Sequence, residues 1–180
     1  MEWSAHPLSL PHTHRSSLAL AAHSHAMRRT NERNLARGLL LVSSAVPLVV
    51  GLSYAAVSLH DIVAPSARFI VPPVTGAAKA IMSSTPLLMD SSANLWSSYL
   101  GANLTHGIGI AVIGATTLYL GSQHWRYVRD HCRMLVPAAA AATLALGATT
   151  TYFMSTLPGV ALLVGSGAYL ISWVVLVASD

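Results

Sequence analysis

Four apolar blocks, at residues 38–59, 98–122, 134–155 and 158–178, constrain the fold of this chain more than any other feature. An α-helix rising about 1.5 Å per residue crosses a hydrocarbon core of roughly 30 Å in about 20 residues, so each block predicts one crossing. Only 9% of residues are charged and 53% are hydrophobic, against roughly 25% charged in soluble domains. So few charges cannot cover a water-soluble surface. Lipid leaves every backbone N–H and C=O to be satisfied inside the protein, so the blocks read as helices. The expected fold is all-α: a polytopic membrane protein built as an antiparallel four-transmembrane-helix bundle, with one long outer loop over residues 60–95.

Basic residues give the orientation. Arg15, Arg28, Arg29, Arg33 and Arg37 precede the first block, and Arg126, Arg129 and Arg133 separate the second from the third, whereas the long loop holds only Arg68 and Lys79. The positive-inside rule then puts both termini and the 123–133 link on the cytoplasmic or matrix-like side of a plasma membrane or organelle inner membrane. The formal net charge of +4 is dispersed around the blocks rather than gathered on a domain, so the lipid bilayer is the expected partner and nucleic acid is not.

The connections carry weaker signals. Residues 1–35 hold Ser, Thr, His, Pro and Arg with Glu2 and Glu32 as the only acids, and the run LALAA at 18–22 is too short for a signal-peptide core. A disordered extension is expected here, either an organelle presequence or an upstream segment with translation starting at Met27. Pro47 should bend the first span, with Ser43 and Ser44 one turn earlier placed to re-satisfy its backbone. Pro65, Pro72, Pro73 and Pro86 break the long loop, leaving a short helix near 76–83. Ser91 or Ser92 is expected to N-cap the second long helix. Pro137 falls in the first turn of the third span, where its missing N–H costs little.

Chemistry-bearing residues are sparse. Trp96, Tyr99, Asn103, His106, Ile110 and Gly114 recur at spacings of three and four and so share a helix face. Gly101, Thr105 and Gly109 form a stripe of small residues four apart, which reads as a helix-packing seam. Counted back from Arg126, Asn103 and His106 fall near the outer boundary of the bilayer, at the depth of His60 and Asp61. Polar groups within a span mark a functional site by default, so Asn103, His106, Trp96, Tyr99, His60 and Asp61 are the candidate ligand-binding residues. The alternative is a purely structural set, with His106 hydrogen-bonded to Asn103, to a backbone carbonyl or to headgroup water.

Other features point to no cofactor. The pairs His12/His14 and His23/His25 lack carboxylate or thiolate companions, and Cys132 is the only cysteine, so no metal site is expected. Haem needs an axial pair across a cavity, and His60 alone is placed to partner His106. Asn103, Leu104 and Thr105 spell a glycosylation sequon that is expected to be accidental inside a span. His124, Trp125, Arg126, Tyr127, Arg129, His131 and Arg133 make a basic aromatic link, suited to anionic headgroups or to a docking protein. No catalytic motif is found: no GxSxG, phosphate-binding loop, HExxH or paired carboxylates.

The stretch from LHDIVAPSARFIVPP through AIMSSTPLLMDSSANLWSSYLGANLTHGIGIAVIGATTLYL resembles an uncharacterised family of small four-span membrane proteins known mainly from bacteria. The matching positions are Met82, Thr85, Pro86, Leu87, Trp96, Gly101, Asn103, Thr105 and His106, with Ala102 standing where an aromatic is more usual. The resemblance covers roughly residues 36–178 and is specific between about 58 and 120. It implies a four-helix bundle and singles out Trp96, Asn103 and His106, but supplies no substrate.

Two functional expectations follow. One is a membrane protein without catalytic activity, an accessory or structural subunit that meets the other subunits of a membrane complex through its small-residue stripes and basic link. The other is a binding protein, transporter or enzyme for an apolar ligand such as a lipid or quinone, with Asn103 and His106 fixing the ligand's polar end.

Overall fold

A computed structural model describes residues 12–63, 76–88, 90–131, 133–153 and 156–179. Cys132, Arg68, Pro65, Pro72 and Pro73 lie outside the described residues, as do the side chains of His12, His14 and Arg15. Most of the described residues are helical: α1 His12–Val63, α2 Gly76–Ser84, α3 Leu95–Gln123, α4 Trp125–His131, α5 Leu135–Phe153 and α6 Thr156–Ala178. Four of these, α1, α3, α5 and α6, are long and apolar enough to cross a membrane. The expected all-α membrane bundle is therefore the fold observed.

The first helix departs from the expectation of a disordered N-terminal segment, because α1 reaches back to His12 without a break. From Leu18 to Arg37 the sequence holds mostly Ala, Leu, Met, Arg and other residues that a helix accepts readily, with no Gly or Pro before Gly38. Extending an existing helix adds a hydrogen bond per residue without a second nucleation cost. Residues 23–31 of this extension are exposed along their whole circumference, and the first core residue is Ala36.

Pro47 lies inside α1. Its ring nitrogen leaves the Ser43 carbonyl without the usual donor four residues on. The hydroxyls of Ser43 and Ser44, expected to re-satisfy the backbone there, both donate instead to Leu40 O, at 3.0 and 2.6 Å. A serine hydroxyl reaches backward along its own helix to the i−3 or i−4 carbonyl, which fixes this choice.

The α2–α3 connection closes on itself. Leu87 N donates to Ala93 O at 3.0 Å and Leu95 N to Thr85 O at 2.9 Å, and at its tip Asp90 Oδ1 accepts from the Ser92 hydroxyl and amide. Ser92 is thereby held in the turn, so the N-cap of α3 is Asn94 instead of Ser91 or Ser92. The Asn94 side chain accepts from Ser97 N at 2.8 Å, and the Ser97 hydroxyl faces Asn94 N in return, a reciprocal capping box.

α1 packs between α3 and α6, and α5 packs chiefly on α6 while touching α3 lightly. All neighbouring long helices run antiparallel. The α1–α3 seam is close: a Cβ on Gly107 would stand 2.7 Å from Ala55 N, and one on Gly51 or Gly114 would collide with the backbone of Ala111 or Leu48. Only glycine allows such an approach in these places. At the 123–133 end, Val128 of α4 is fully buried with Leu40, Val136, Ala139, Ala140 and Tyr169, so the link is folded against the bundle. Arg37 reaches from α1 to the end of α3, donating Nε to Gly121 O at 3.1 Å and a terminal nitrogen to Ser122 O at 2.7 Å. Those carbonyls are among the last four that a helix leaves unpaired.

Candidate functional site

The polar residues singled out in the sequence lie at the end of the bundle that carries α2, but they point in different directions. Asn103 is 2% exposed and shares a helix face with Gly107, which meets Gly51 and Ala55, so it is turned into the α1–α3 seam. Its Nδ2 donates to Tyr99 O at 2.8 Å within its own helix. On α1, Ser58 is also buried, its Oγ with no hydrogen-bond partner among the described residues. At 2% exposure Asn103 also gives a glycosylating enzyme no access, consistent with an accidental sequon.

His106 leaves α3 on the other flank. Its Nε2 is 2.8 Å from Thr150 Oγ1 on α5, and its ring stands edge-on to Tyr54, with centroids 6.4 Å apart. Thr150 directs its hydroxyl proton to Leu146 O at 2.6 Å, so the imidazole Nε2–H is the donor of the pair. Thr150 carries no sequence signal beyond being a hydroxyl in an apolar run, because the pairing depends on the register of α5 against α3.

Trp96 is buried beneath α2, stacked on Tyr99 at 5.8 Å between centroids and covered by Lys79, whose Nζ is 5.2 Å from the Trp96 ring centroid. A cation over an indole face is attracted by the ring quadrupole, and with Met82 and Leu100 the group pins α2 onto α3. Asp61 is buried and His60 half-exposed, with His60 Nδ1 3.4 Å from Asp61 Oδ1. Asp61 is thus turned inward and His60 outward, while the hydrogen bonds of Asn103 and His106 run to Tyr99 and Thr150.

The packing seam is not the stripe expected. The close approach uses Gly107, Ala111 and Gly114, whereas Thr105 and Gly109 are exposed, and no atom lies within 4 Å of a Cβ built on Gly101 or Gly109. Thr105 lies about 200° round the helix from Gly107, so the two stripes face opposite ways and the sequence alone offers both.

A second polar group, unforeseen in the sequence, joins three helices nearer the link. Tyr169 OH of α6 is 2.6 Å from Thr117 Oγ1 of α3 and donates to Ser44 Oγ of α1 at 3.1 Å. Ser166 Oγ donates to Ala140 O at 2.9 Å, and Ser172 Oγ to Ala36 O at 2.7 Å, so hydroxyls on α6 tie it to both neighbours. Among the described residues no group of three or more His, Cys, Asp or Glu side chains is placed to hold a metal ion.

Outside the spans, two carboxyls are held below their ordinary range. Asp90 is lowered by hydrogen bonds from the Ser92 hydroxyl and then the Ser92 amide. Asp130 is lowered first by the Arg129 guanidinium, which donates to both of its oxygens at 2.6 and 2.9 Å. Each strengthens as a hydrogen-bond acceptor in its ionised form.

No protein-family model, curated protein or solved structure matches the chain.

Proposed function

We propose that this protein is a multi-pass integral membrane subunit without chemistry of its own, which joins a larger membrane complex through the outer face of α3. The observation that carries the reading is the stripe of Gly101, Thr105 and Gly109. It has the four-residue spacing that lets helix backbones approach in lipid, yet the bundle itself leaves it uncovered. The polar residues of the spans support the same reading, since His106, Thr117, Tyr169, Ser166 and Ser172 are engaged in bonds between helices. Under this proposal both termini and α4 lie on the cytoplasmic or matrix-like side, and the chain is a member of the small four-span family that its 58–120 stretch resembles.

Extraction from native membranes in mild detergent, followed by native mass measurement, tests the reading. The wild-type chain is expected in a species heavier than itself, and the Gly101→Leu/Gly109→Leu variant as a folded, lone chain. A lone wild-type chain, or a variant that assembles as the wild type does, rejects the proposal. Gly107→Leu serves as the contrast, because it should unfold the bundle rather than free it.

A further inference from the structure

The weak contact between α3 and α5 leaves a groove of about 260 Å³ on the side of the bundle, lined by Val112, Ile113, Thr116 and Thr117 of α3 and by Leu135, Ala138, Ala139 and Ala142 of α5. The alanine run at 138–142 accounts for it: side chains of one carbon cannot fill the space that α3 leaves. At its far end the His106–Thr150 hydrogen bond draws the same two helices together. At its near end the groove reaches Leu135, the first residue of α5, beside α4, whose Val128 is buried in one cluster with Ala139. The 123–133 link carries Arg126, Arg129 and Arg133, the last donating Nε to Arg129 O at 2.6 Å, against one acid, Asp130, which Arg129 holds.

We infer that this groove holds an acyl chain of an anionic phospholipid from the leaflet on the α4 side, with the lipid phosphate against Arg126 and Arg133 of the 123–133 link. An apolar slot open along a membrane-facing side suits an alkyl chain, and a basic cluster at the mouth of a space between transmembrane helices suits an anionic headgroup. The geometry separates the two contributions. Ala138 and Ala142 set the room for the chain, while Arg126 and Arg133 set the preference for charge. Gly101, Thr105 and Gly109 do not line the groove, so substitutions in the stripe and in the groove test the two proposals separately.

The test uses the full chain in mild detergent, with native mass spectrometry during titration of phosphatidylglycerol or of phosphatidylcholine with the same acyl chains. One phosphatidylglycerol should be retained in preference to phosphatidylcholine, and Arg126→Gln and Arg133→Gln should each reduce that preference about fivefold. Ala142→Phe should abolish retention of both lipids while the helical circular dichroism stays unchanged. If Ala142→Phe fails to fold, Val112→Trp replaces it: Val112 is 57% exposed, so a larger side chain can enter the groove from the open side. Equal retention of the two lipids by the wild type overturns the inference. So does unchanged phosphatidylglycerol retention in a folded, groove-filled variant, which would mean adsorption to the arginines alone.

Discussion

Hydroxyls and one imidazole do for this bundle what charged pairs do for many soluble ones, and each does it locally. A hydrogen bond between helices in a membrane contributes only about 0.6 kcal/mol on average, so the Thr117–Tyr169–Ser44 group matters for fixing the rotation of three helices more than for holding them together. The residues involved show how far a sequence can be read at this scale. Asn103 and His106 stand out because they are polar within an apolar run, and both prove to be buried or half-buried. Their partners do not stand out, since Thr150 and Tyr99 O become neighbours only through helix register and backbone geometry. Outside the membrane the same scale yields a pH effect. Asp90 titrates below its ordinary value of 3.8 because Ser92 donates to its ionised form, so the turn's contribution is complete above that value and is lost as pH falls through the lower folded one. The protection factor of the Ser92 amide, taken against the intrinsic exchange rate at each pH, should therefore be high at neutral pH and fall on acidification below 3.8. Ser92→Ala, which keeps only the amide donor to Asp90, should lower it at neutral pH; a protection factor that ignores pH would contradict the assignment.

Elements were legible where length and composition decide them and less so where faces do. Four long helices follow from bilayer thickness, and the short helix near 76–83 follows from its flanking prolines. The seam does not, because α3 carries small residues on two opposite faces and only packing against α1 selects Gly107, Ala111 and Gly114. The N-cap of α3 moved to Asn94 because Asp90 claims Ser92 first. At the other end of α3, Arg37 supplies from another helix the donors that the final turn lacks. Arg37→Gln should cost about 1.5 kcal/mol, the low end for charged donors because the side chain is partly open to water. A denaturant titration in detergent would measure it, with faster amide exchange confined to the last turn of α3. Exchange that rises equally in every helix would show that Arg37 acts through something other than this end.

For the whole molecule, the arrangement around α1 explains why the chain has one tight side and one open one. α3 and α6 both press on α1 through glycine and serine, while α5, bearing its alanine run, meets α3 across a gap. Orientation in the membrane is open to direct measurement, since Leu88 is wholly exposed at the tip of the α2–α3 connection and His23 is exposed on α1. In a Cys132→Ala background, Leu88→Cys should react with an impermeant maleimide on intact cells or organelles, and His23→Cys only after permeabilisation. The opposite pattern would reverse the topology. The unbroken course of α1 carries one more implication. A group held at His23 stands about 21 Å along the axis from Arg37, and each residue inserted between them would swing it about 100° around that axis. The N-terminal part of α1 thus stands at a set distance and a set phase from the bundle.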